Sequence, residues 1–241
     1  MKAIGIIPSR YASSRFPGKP LAIIKKKTLL ERVWLRAKQS RLLDEVVIAT
    51  DHRKIFDTAK SFGALAVMTS KDLKSGTDRL AEVAAKKGKS FEIFINVQGD
   101  EPLISPSLID RLVTALKRDP SVQMVTAVYP IKKKSEIDDP NVVKAVLDKN
   151  GFAIYFSRCP IPYNRLGKKV SYFKHLGIYG YRRKSLRAFS RMAQTPLENA
   201  EQLEQLRALE NGFRIKAVVS RHDSFGVDVP KDVKKIERMV K

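Results

Sequence analysis

The sequence predicts an α/β fold with a mainly parallel sheet and helices on both of its faces. Across the first half of the chain, short apolar runs of strand length alternate with amphipathic stretches of helical length. Strands that alternate with helices are joined by crossover connections, which place successive strands parallel in one sheet. The 241 residues contain no repeat and no low-complexity linker, so we expect a single domain over residues 1–241.

The first half of the chain supplies four predicted strands and four predicted helices. Runs rich in Val and Ile predict buried strands, and apolar residues at helical spacing predict helices packed on the sheet. Gly63 is a typical helix end, and Thr77 is a predicted N-cap. The predicted strands are 3–8, 45–50, 64–69 and 91–99, and the predicted helices are 29–40, 53–63, 77–88 and 106–119.

The pattern changes in the second half, where strand-like runs follow one another with little helix between them. These runs predict a smaller, partly antiparallel lobe, inserted at about 122–197. A helix, a strand and a final helix that begins near Pro230 follow it. The predicted strands are 122–131, 141–148, 153–158, 174–182 and 214–220, and the predicted helices are 198–212 and 230–241.

The charge of the chain is unusual, because 47 Lys and Arg stand against 25 Asp and Glu, a formal charge of +22. Such an excess makes nucleic acid, anionic membrane surfaces and acidic small molecules candidate partners. The lysines, however, form short runs such as 25–27 and 132–134, with no interleaved aromatic residues to stack on bases. A solvated basic surface is therefore favoured over a nucleic-acid interface, and its field would attract an acidic substrate.

The single cysteine, Cys159, excludes a disulfide within the chain and a cysteine-rich metal site, which fits a reducing compartment. No stretch approaches the roughly 20 apolar residues that a membrane-spanning helix needs. The apolar run at the N-terminus is too short for a signal peptide. We therefore expect a cytoplasmic protein without a membrane span.

The first predicted strand leads directly into a basic loop, IPSRYASSRFPGKP (7–20). Gly18 and the serines provide flexible backbone whose N–H groups can face an anion. Arg10, Arg15 and Lys19 provide cations. The loop matches neither a Walker A motif nor G-x-G-x-x-G. Its composition suits a phosphate-binding loop, and a solvated turn is the alternative.

Acidic residues stand at the ends of later strands. Asp100 and Glu101 follow the strand 91–99, and Asp228 lies in GVDVP after the last predicted strand. Ligands of open parallel sheets bind beyond the carboxyl ends of the strands, where the basic loop is also expected. Mg²⁺ prefers one or two carboxylates together with phosphate oxygens and water. Asp100 and Asp228 could therefore hold Mg²⁺ between a triphosphate and a second substrate, and a helix-capping turn is the alternative.

Other polar segments carry candidate residues with simple structural alternatives. SGTDR (75–79) enters a helix with Arg79 in its first turns, and an ordinary N-cap is the alternative. Arg158 lies between a strand and a proline-rich turn, and His175 opens the segment HLGIYGY. A lone histidine is more often structural than catalytic. No local Ser/His/Asp or Cys/His arrangement points to covalent catalysis.

Taken together, these segments resemble the 3-deoxy-manno-octulosonate cytidylyltransferase family, also called CMP-Kdo synthetases. The match runs in order over nearly the whole chain. The basic loop is shared by the wider nucleotidyltransferase family, whereas NVQGDEP and FSRCPIPY are typical of the Kdo branch. The segments are IPSRYASSRFPGKPL, ATD, SGTDRLAEV, NVQGDEPLI, NVVKAVLD, AIYFSRCPIPY, KHLGIYGYR, LEQLRALENG and GVDVPKD.

The resemblance implies a Rossmann-like nucleotidyltransferase fold and two substrates, CTP and the acidic sugar 3-deoxy-D-manno-octulosonate (Kdo). The anomeric hydroxyl of Kdo would attack the α-phosphate of CTP, giving pyrophosphate and CMP-Kdo for lipopolysaccharide biosynthesis. The family also implies Mg²⁺ as cofactor, a homodimer, and an inserted lobe that serves sugar binding and dimerisation.

The resemblance also assigns site residues. Arg10, Lys19 and Asp100 would be catalytic, and Asp100 and Asp228 would bind Mg²⁺. A guanidinium suits a carboxylate, which supports Arg158 as the partner of the Kdo carboxylate. The nucleotide-binding residues would be Pro8, Arg10, Ser13, Arg15, Lys19, Ser75 and Arg79. The sugar-binding residues would be Gln98, Arg158, His175, Tyr179, Glu204 and Gln205.

The chain departs from the family pattern in places, and two alternatives stay open. Lys26-Lys27-Thr28 stands where relatives usually carry Gly-Lys-Pro, and Leu73 replaces a common His before SGTDR. One alternative is a cytidylyltransferase for another acidic sugar, such as 8-amino-Kdo or a sialic acid. The other is a nucleic-acid-binding protein driven by the charge of +22.

Overall fold

The computed structural model describes residues 1–12, 15–73, 75–87 and 90–240. Its strands are β1 (Ala3–Ser9), β2 (Ile23–Ile24), β3 (Lys27–Thr28), β4 (Glu45–Thr50), β5 (Leu65–Met68), β6 (Ile93–Asn96), β7 (Met124–Pro130), β8 (Lys144–Leu147), β9 (Ala153–Ser157), β10 (Phe173–Arg182) and β11 (Ile215–Val219). Its helices are α1 (Leu29–Lys38), α2 (Arg53–Ser61), α3 (Gly76–Lys86), α4 (Pro106–Arg118), α5 (Ser135–Asp138), α6 (Arg183–Phe189), α7 (Pro196–Glu201), α8 (Gln205–Glu210) and α9 (Pro230–Met239). Over the residues described, none of these helices is long and apolar enough to cross a membrane.

The central sheet has the strand order β11-β7-β10-β6-β1-β4-β5. Along this path, among the strands described, β10 alone runs against its neighbours, since it pairs antiparallel with β6 and β7. The other pairs are parallel. The register places Ile7 opposite Ile48 and Ile4 opposite Phe94, so the apolar strands are aligned. The mixed, mainly parallel sheet confirms the fold class expected from the sequence.

Side chains of β1 alternate between the two faces of the sheet, as strand geometry requires. Ala3 and Ile7 belong to a buried cluster that includes the apolar faces of α1, α2 and α4. Ile4 and Ile6 belong to a second cluster, which includes residues of α3 and α6. Full burial of each such Ile contributes about 1.5–3 kcal/mol. Because β1 is buried on both faces, its carboxyl end is held firmly where the basic loop begins.

The segment 122–197, which the sequence marks as a lobe, contributes both to the central sheet and to an extension of it. β7 and β10 lie inside the sheet. β8 and β9 form an antiparallel pair that is attached to the start of β10, where Phe173 lies opposite Ala145. The range 122–197 therefore includes strands that share the main core as well as the β8–β9 pair.

Two helix boundaries predicted from the sequence are wrong. The N-cap of α3 is Ser75 and not Thr77, because the Ser75 hydroxyl accepts from the Asp78 amide and the Asp78 carboxylate accepts from the Ser75 amide. The helix predicted at 198–212 is divided into α7 and α8, because Gln202 adopts a left-handed backbone conformation with φ 52°. The short helix α6 and the β2–β3 pair are elements that the apolar pattern does not predict.

Candidate active site

The carboxyl ends of β1 and β6 lie side by side, because these strands are parallel neighbours in the sheet. β1 leads into the basic loop, and β6 leads through Gly99 to Asp100. A Cβ on Gly99 would lie 2.8 Å from the carbonyl oxygen of Pro8 and 3.0 Å from Oγ of Ser9. A side chain at this position would collide with the backbone of β1, so the close approach requires glycine. The approach brings Asp100 against the basic loop.

The basic loop is closed by a hydrogen bond of 3.0 Å from the Gly18 amide to the carbonyl oxygen of Tyr11. Gly18 has φ 69°, in the left-handed region that favours glycine. A short 3-10 helix, Lys19–Leu21, follows with Pro20 in its first turn. This turn directs the Lys19 side chain toward the carboxylate that follows β6.

Lys19 and two aspartates form the centre of the site. The Lys19 Nζ is 2.7 Å from Oδ2 of Asp100 and 3.7 Å from Oδ1 of Asp228. Nη2 of Arg15 is 3.4 Å from the same oxygen of Asp228. The Val227 amide donates to the carbonyl oxygen of Asp100 over 2.9 Å, which ties the segment after β11 to the end of β6. The structure thus brings together charged residues that the sequence assigns only to separate strand ends.

A cavity of about 290 Å³ opens over this charged centre. It is lined by Lys19, Asp100, Asp228 and Arg15, so a ligand inside would meet cations and carboxylates from different strand ends. Ser13, expected beside the triphosphate, lies outside the described residues. Five further predicted site residues line the cavity, namely Pro8, Arg10, Ser75, Arg79 and Gln98.

The two other arginines of the cavity differ in exposure and in ion pairing. Arg10 is exposed at the end of β1, and it forms no ion pair with any residue that the structure describes. Arg79 is buried, and its Nη2 donates to Oδ2 of Asp51 over 2.9 Å. Its Nη1 contacts the Thr69 hydroxyl and the carbonyl oxygen of Ser70. The Arg10 charge is therefore available to an anion, whereas the Arg79 guanidinium is fixed by Asp51 at the end of β4.

Sequence reasoning missed several residues of this site. Gly76, the first residue of α3, lines the cavity, and the amides of a first helical turn carry partial positive charge that favours an anion. Asp51 fixes Arg79; its place directly after a predicted strand already indicates a residue of the ligand edge, but not this ion pair. Ser9 and Leu73 also line the cavity; Ser9 lies within the basic loop, and Leu73 stands where relatives commonly carry a His.

Three predicted sugar-binding residues lie on or against β10. The Gln98 amide Nε2 donates to the carbonyl oxygen of Gly177 over 2.8 Å, which places the first half of β10 beside the cavity. The rings of His175 and Tyr179 have centroids 5.3 Å apart, and Phe156 meets His175 edge-on at 5.0 Å. His175 and Tyr179 therefore form an aromatic pair on β10, and Gln98 connects that strand to the wall of the cavity.

His175 is held as a neutral imidazole. Its Nε2 lies 2.8 Å from Oγ1 of Thr126, and that hydroxyl donates to the carbonyl oxygen of Ile178 over 2.9 Å. Because the hydroxyl has a single hydrogen, Nε2 must carry the imidazole hydrogen, and Nδ1 is left as an acceptor. Burial lowers the pKa of His175 to about 3, so the ring carries no charge near neutral pH.

Glu204 lines a second cavity, of about 620 Å³, which shares Ser75 with the first. The Thr77 hydroxyl donates to Oε2 of Glu204 over 2.8 Å, which ties the start of α8 to the start of α3. Burial raises the pKa of Glu204 above its ordinary value, although hydrogen bonds with Thr77 and Ser75 oppose this. Gln205 is buried, and its Nε2 has no hydrogen-bond partner among the residues described.

Arg158, like His175, Tyr179 and Gln205, lines neither cavity. Its Nε donates to the carbonyl oxygen of Glu201 over 2.8 Å, and its Nη1 donates to that of Pro140 over 2.9 Å. The Arg158 amide also donates to the Glu201 carboxylate. The guanidinium is therefore held by backbone carbonyl groups of the β8–β9 region and α7.

Asp100 and Asp228 suit a hard divalent cation that also takes ligands from a substrate. In the described part of the chain, no three His, Cys, Asp or Glu side chains lie close enough to hold a metal alone. Two carboxylates at the wall of a cavity are a donor set that Mg²⁺ uses when phosphate oxygens and water complete its shell. Their shared contact with the Lys19 ammonium shows that both carboxylates face one position that attracts a cation.

Comparison with known proteins places the chain in a family. Residues 4–217 match the family model described as Cytidylyltransferase. A 3-deoxy-manno-octulosonate cytidylyltransferase of Solibacter usitatus is 50% identical over 241 residues, covering 100% of this chain and 95% of the relative. A protein of the same name from Fusobacterium nucleatum is 46% identical, with 100% and 98% covered.

Solved structures agree with these relatives. The structure of CMP:2-keto-3-deoxy-manno-octonic acid synthetase complexed with CTP has a TM-score of 0.95 and 40% identity, covering 99% of this chain and 98% of that one. A cytidylyltransferase from Leptospira borgpetersenii has a TM-score of 0.65 at 18% identity, covering 98% and 85%, which shows a shared fold. The chain therefore has the nucleotidyltransferase fold.

We predict that His175 makes the free energy of unfolding rise with pH between about 3 and 6.5. Because its pKa is lower in the folded chain, the unfolded chain binds this proton first on acidification, and stability falls as pH falls through this window. The substitution His175→Gln should reduce the slope by up to about 1.4 kcal/mol per pH unit. Urea denaturation at a series of pH values measures the slope.

The control for this experiment is His222→Gln, at a histidine whose side chain is exposed. That variant should keep the slope of the parent chain. An unchanged slope in His175→Gln would show that the imidazole is protonated equally in the folded and unfolded chains.

Proposed function

The chain belongs to the 3-deoxy-manno-octulosonate cytidylyltransferase family, and from this premise we propose how its site works. The enzyme transfers the CMP part of CTP to the anomeric hydroxyl of Kdo, releasing pyrophosphate and forming CMP-Kdo. The observation that carries this function is the cavity in which the Lys19 ammonium meets the carboxylates of Asp100 and Asp228.

The reaction is a displacement at phosphorus. The hydroxyl oxygen of Kdo forms a bond to the α-phosphorus of CTP, the bond from that phosphorus to the oxygen bridging to the β-phosphate breaks, and the hydroxyl proton is released. Reactions of this class depend on positioning and on neutralisation of charge more than on covalent help from the protein. A cavity that combines fixed cations with cation-binding carboxylates meets both needs.

The basic loop would bind the triphosphate. Arg10 carries a charge that no described residue neutralises, and Arg15 and Lys19 lie at the aspartates beside it. The first turn of α3, which also lines the cavity, adds backbone N–H groups. Ser75 and Arg79 belong to the same end of α3 and line the cavity, which supports their assignment to the cytidine part of the nucleotide.

Asp100 and Asp228 would hold Mg²⁺. When bound, the ion supplies positive charge that stabilises the triphosphate as the leaving pyrophosphate gains charge. The two carboxylates would orient the ion, and Lys19 supplies a further positive charge close to both of them. Asp100 is the more enclosed of the two, because the Gly99 backbone holds it against β1.

The acceptor sugar would bind beside β10. Gln98 and the neutral His175 offer hydrogen-bonding groups without a net charge, which suits sugar hydroxyls. Tyr179 packs against His175, and Glu204 and Gln205 add polar groups from α8 and the residue before it.

Arg158 would bind the Kdo carboxylate, since a guanidinium can grip a carboxylate through two hydrogen bonds. Its Nη1 donates to the carbonyl oxygen of Pro140 and would have to exchange that bond for the ligand. The exchange replaces a neutral acceptor with a charged one, which strengthens the hydrogen bond.

The cellular role follows from the product. CMP-Kdo is an activated sugar, and we propose that it supplies Kdo for lipopolysaccharide biosynthesis. We also propose a cytoplasmic location, supported by the free thiol of Cys159 in a chain with a single cysteine. Cell fractionation followed by detection of the chain tests the location, and recovery with the membrane fraction would contradict it.

We further predict that the enzyme is a homodimer. Large apolar side chains are exposed on β9 and in the loop that follows it, with Ile154 at 59%, Tyr163 at 87% and Leu166 at 74% exposure. Exposed apolar patches typically mark protein interfaces. Sedimentation velocity should show one species with twice the monomer mass of 27.2 kDa. A monomer in Tyr163→Asp would place the interface here, and a monomeric parent chain would refute the dimer.

Pyrophosphate release tests the proposed reaction and separates it from the alternatives. We expect release with CTP, Kdo and Mg²⁺ together, and little release when CTP is replaced by UTP, ATP or GTP. Kdo, 8-amino-Kdo and N-acetylneuraminate are offered in turn, so a preference for either of the last two would reassign the acceptor. No release with any CTP and acidic-sugar pair would refute the function, and steeply salt-dependent binding to random duplex would favour a nucleic-acid-binding protein.

The substitution Asp100→Asn should abolish most turnover while CTP still binds weakly. Removal of a direct metal ligand should cost more than the roughly 10- to 100-fold that loss of an outer-shell partner costs. Steady-state pyrophosphate release gives kcat, and calorimetry gives the affinity for CTP. Asp57→Asn is the matched control, because Asp57 forms an exposed ion pair with Arg53 on α2. Near-normal turnover of Asp100→Asn would place the metal elsewhere.

A further inference from the structure

Asp228 lies in a segment without regular secondary structure, between β11 and α9. Its side chain is 56% exposed, so its own packing does little to fix the carboxylate. The position of that carboxylate therefore depends on how the segment 220–229 is attached to the rest of the fold.

Lys174 of β10 attaches the first part of this segment to the central sheet. Its side chain is 10% exposed, and its Nζ is 2.7 Å from Oδ2 of Asp223 and 2.6 Å from Oε1 of Glu136. A buried ammonium is costly unless carboxylates compensate its charge, so the three groups are expected to stay together. The ion pair therefore fixes Asp223 to a strand inside the central sheet.

Ser224 attaches the segment to the other carboxylate of the site. Its hydroxyl donates to Oε2 of Glu101 over 2.6 Å, and Glu101 is the direct neighbour of Asp100 in the chain. The backbone bond from Val227 to Asp100 makes a second connection between the same two segments. The chain is thus held at Asp223, Ser224 and Val227, three points within the six residues that end at Asp228.

We propose that Lys174 and Ser224 are positioning residues that hold Asp228 opposite Asp100. The proposal rests on the proposed role of Asp228 as a Mg²⁺ ligand and names the residues that keep this ligand in place. Neither side chain lines the cavity, so both act through the segment and not by contact with substrate. Lys174 sets the start of the segment, and Ser224 aligns it with the end of β6.

Binding of Mn²⁺ in the presence of CTP tests the proposal without turnover. Water-proton relaxation reports Mn²⁺ bound to protein. Lys174→Met keeps the length of the side chain and removes its charge, and Ser224→Ala removes one hydroxyl. Both should weaken Mn²⁺ affinity by about 10- to 100-fold. The affinity for CTP without metal should stay as in the parent chain, and Lys174→Arg should retain most of the Mn²⁺ affinity.

Lys87→Met is the matched control, because it removes a lysine that pairs with Glu45 outside the site. It should leave Mn²⁺ affinity unchanged. Ser224→Ala is the milder change and keeps the test decisive where Lys174→Met destabilises the fold. Unchanged affinity in Ser224→Ala and in folded Lys174→Met would overturn the proposal.

A double variant shows whether Lys174 affects Mn²⁺ affinity by positioning Asp228 or independently of it. If Lys174 acts through Asp228, then Lys174→Met combined with Asp228→Asn should bind Mn²⁺ no more weakly than Asp228→Asn alone. Additive losses would overturn the positioning role and leave the metal site intact. Unchanged affinity in Asp228→Asn itself would overturn the proposed metal site, and with it the positioning role.

Discussion

The close approach of the Gly99 backbone to the end of β1 is the constraint on which the site depends. Space for a Cβ is absent there, since the Pro8 carbonyl oxygen would lie 2.8 Å away. Because the two backbones meet, the residue after Gly99 reaches the basic loop and contacts Lys19. The same residue accepts the Val227 amide, so three distant segments converge on Asp100. A small change at one glycine would therefore separate all three.

Much of this arrangement could be predicted, because it follows from local pattern and strand order. The predicted strand 45–50 agrees with β4, and the predicted helix 106–119 agrees with α4 to within one residue. Apolar periodicity reports which side chains are buried, and parallel strands place their carboxyl ends at one edge. These two facts are enough to expect the basic loop and Asp100 in one place.

What could not be predicted depends on partners that are far away in sequence. The break at Gln202 is accompanied by contacts of its neighbour Glu201 with Arg158, more than forty residues earlier. The pairing of Arg79 with Asp51 and that of Lys174 with Asp223 likewise join separate elements. Each such contact is fixed by tertiary packing, and a linear pattern of apolar and polar residues does not encode it.

The reversed direction of β10 has an evolutionary consequence. Tyr179 pairs with Asn96, the last residue of β6, so the first half of β10 extends past that strand toward the ligand edge. Of the residues proposed to bind the acceptor, His175 and Tyr179 stand on this reversed strand and Gln205 on α8, whereas Gln98 follows the parallel strand β6 and lines the cavity with the proposed nucleotide residues. The proposed acceptor side and the proposed nucleotide side thus draw in part on different elements. Natural variation in one could change the acceptor sugar while the other preserves the use of CTP.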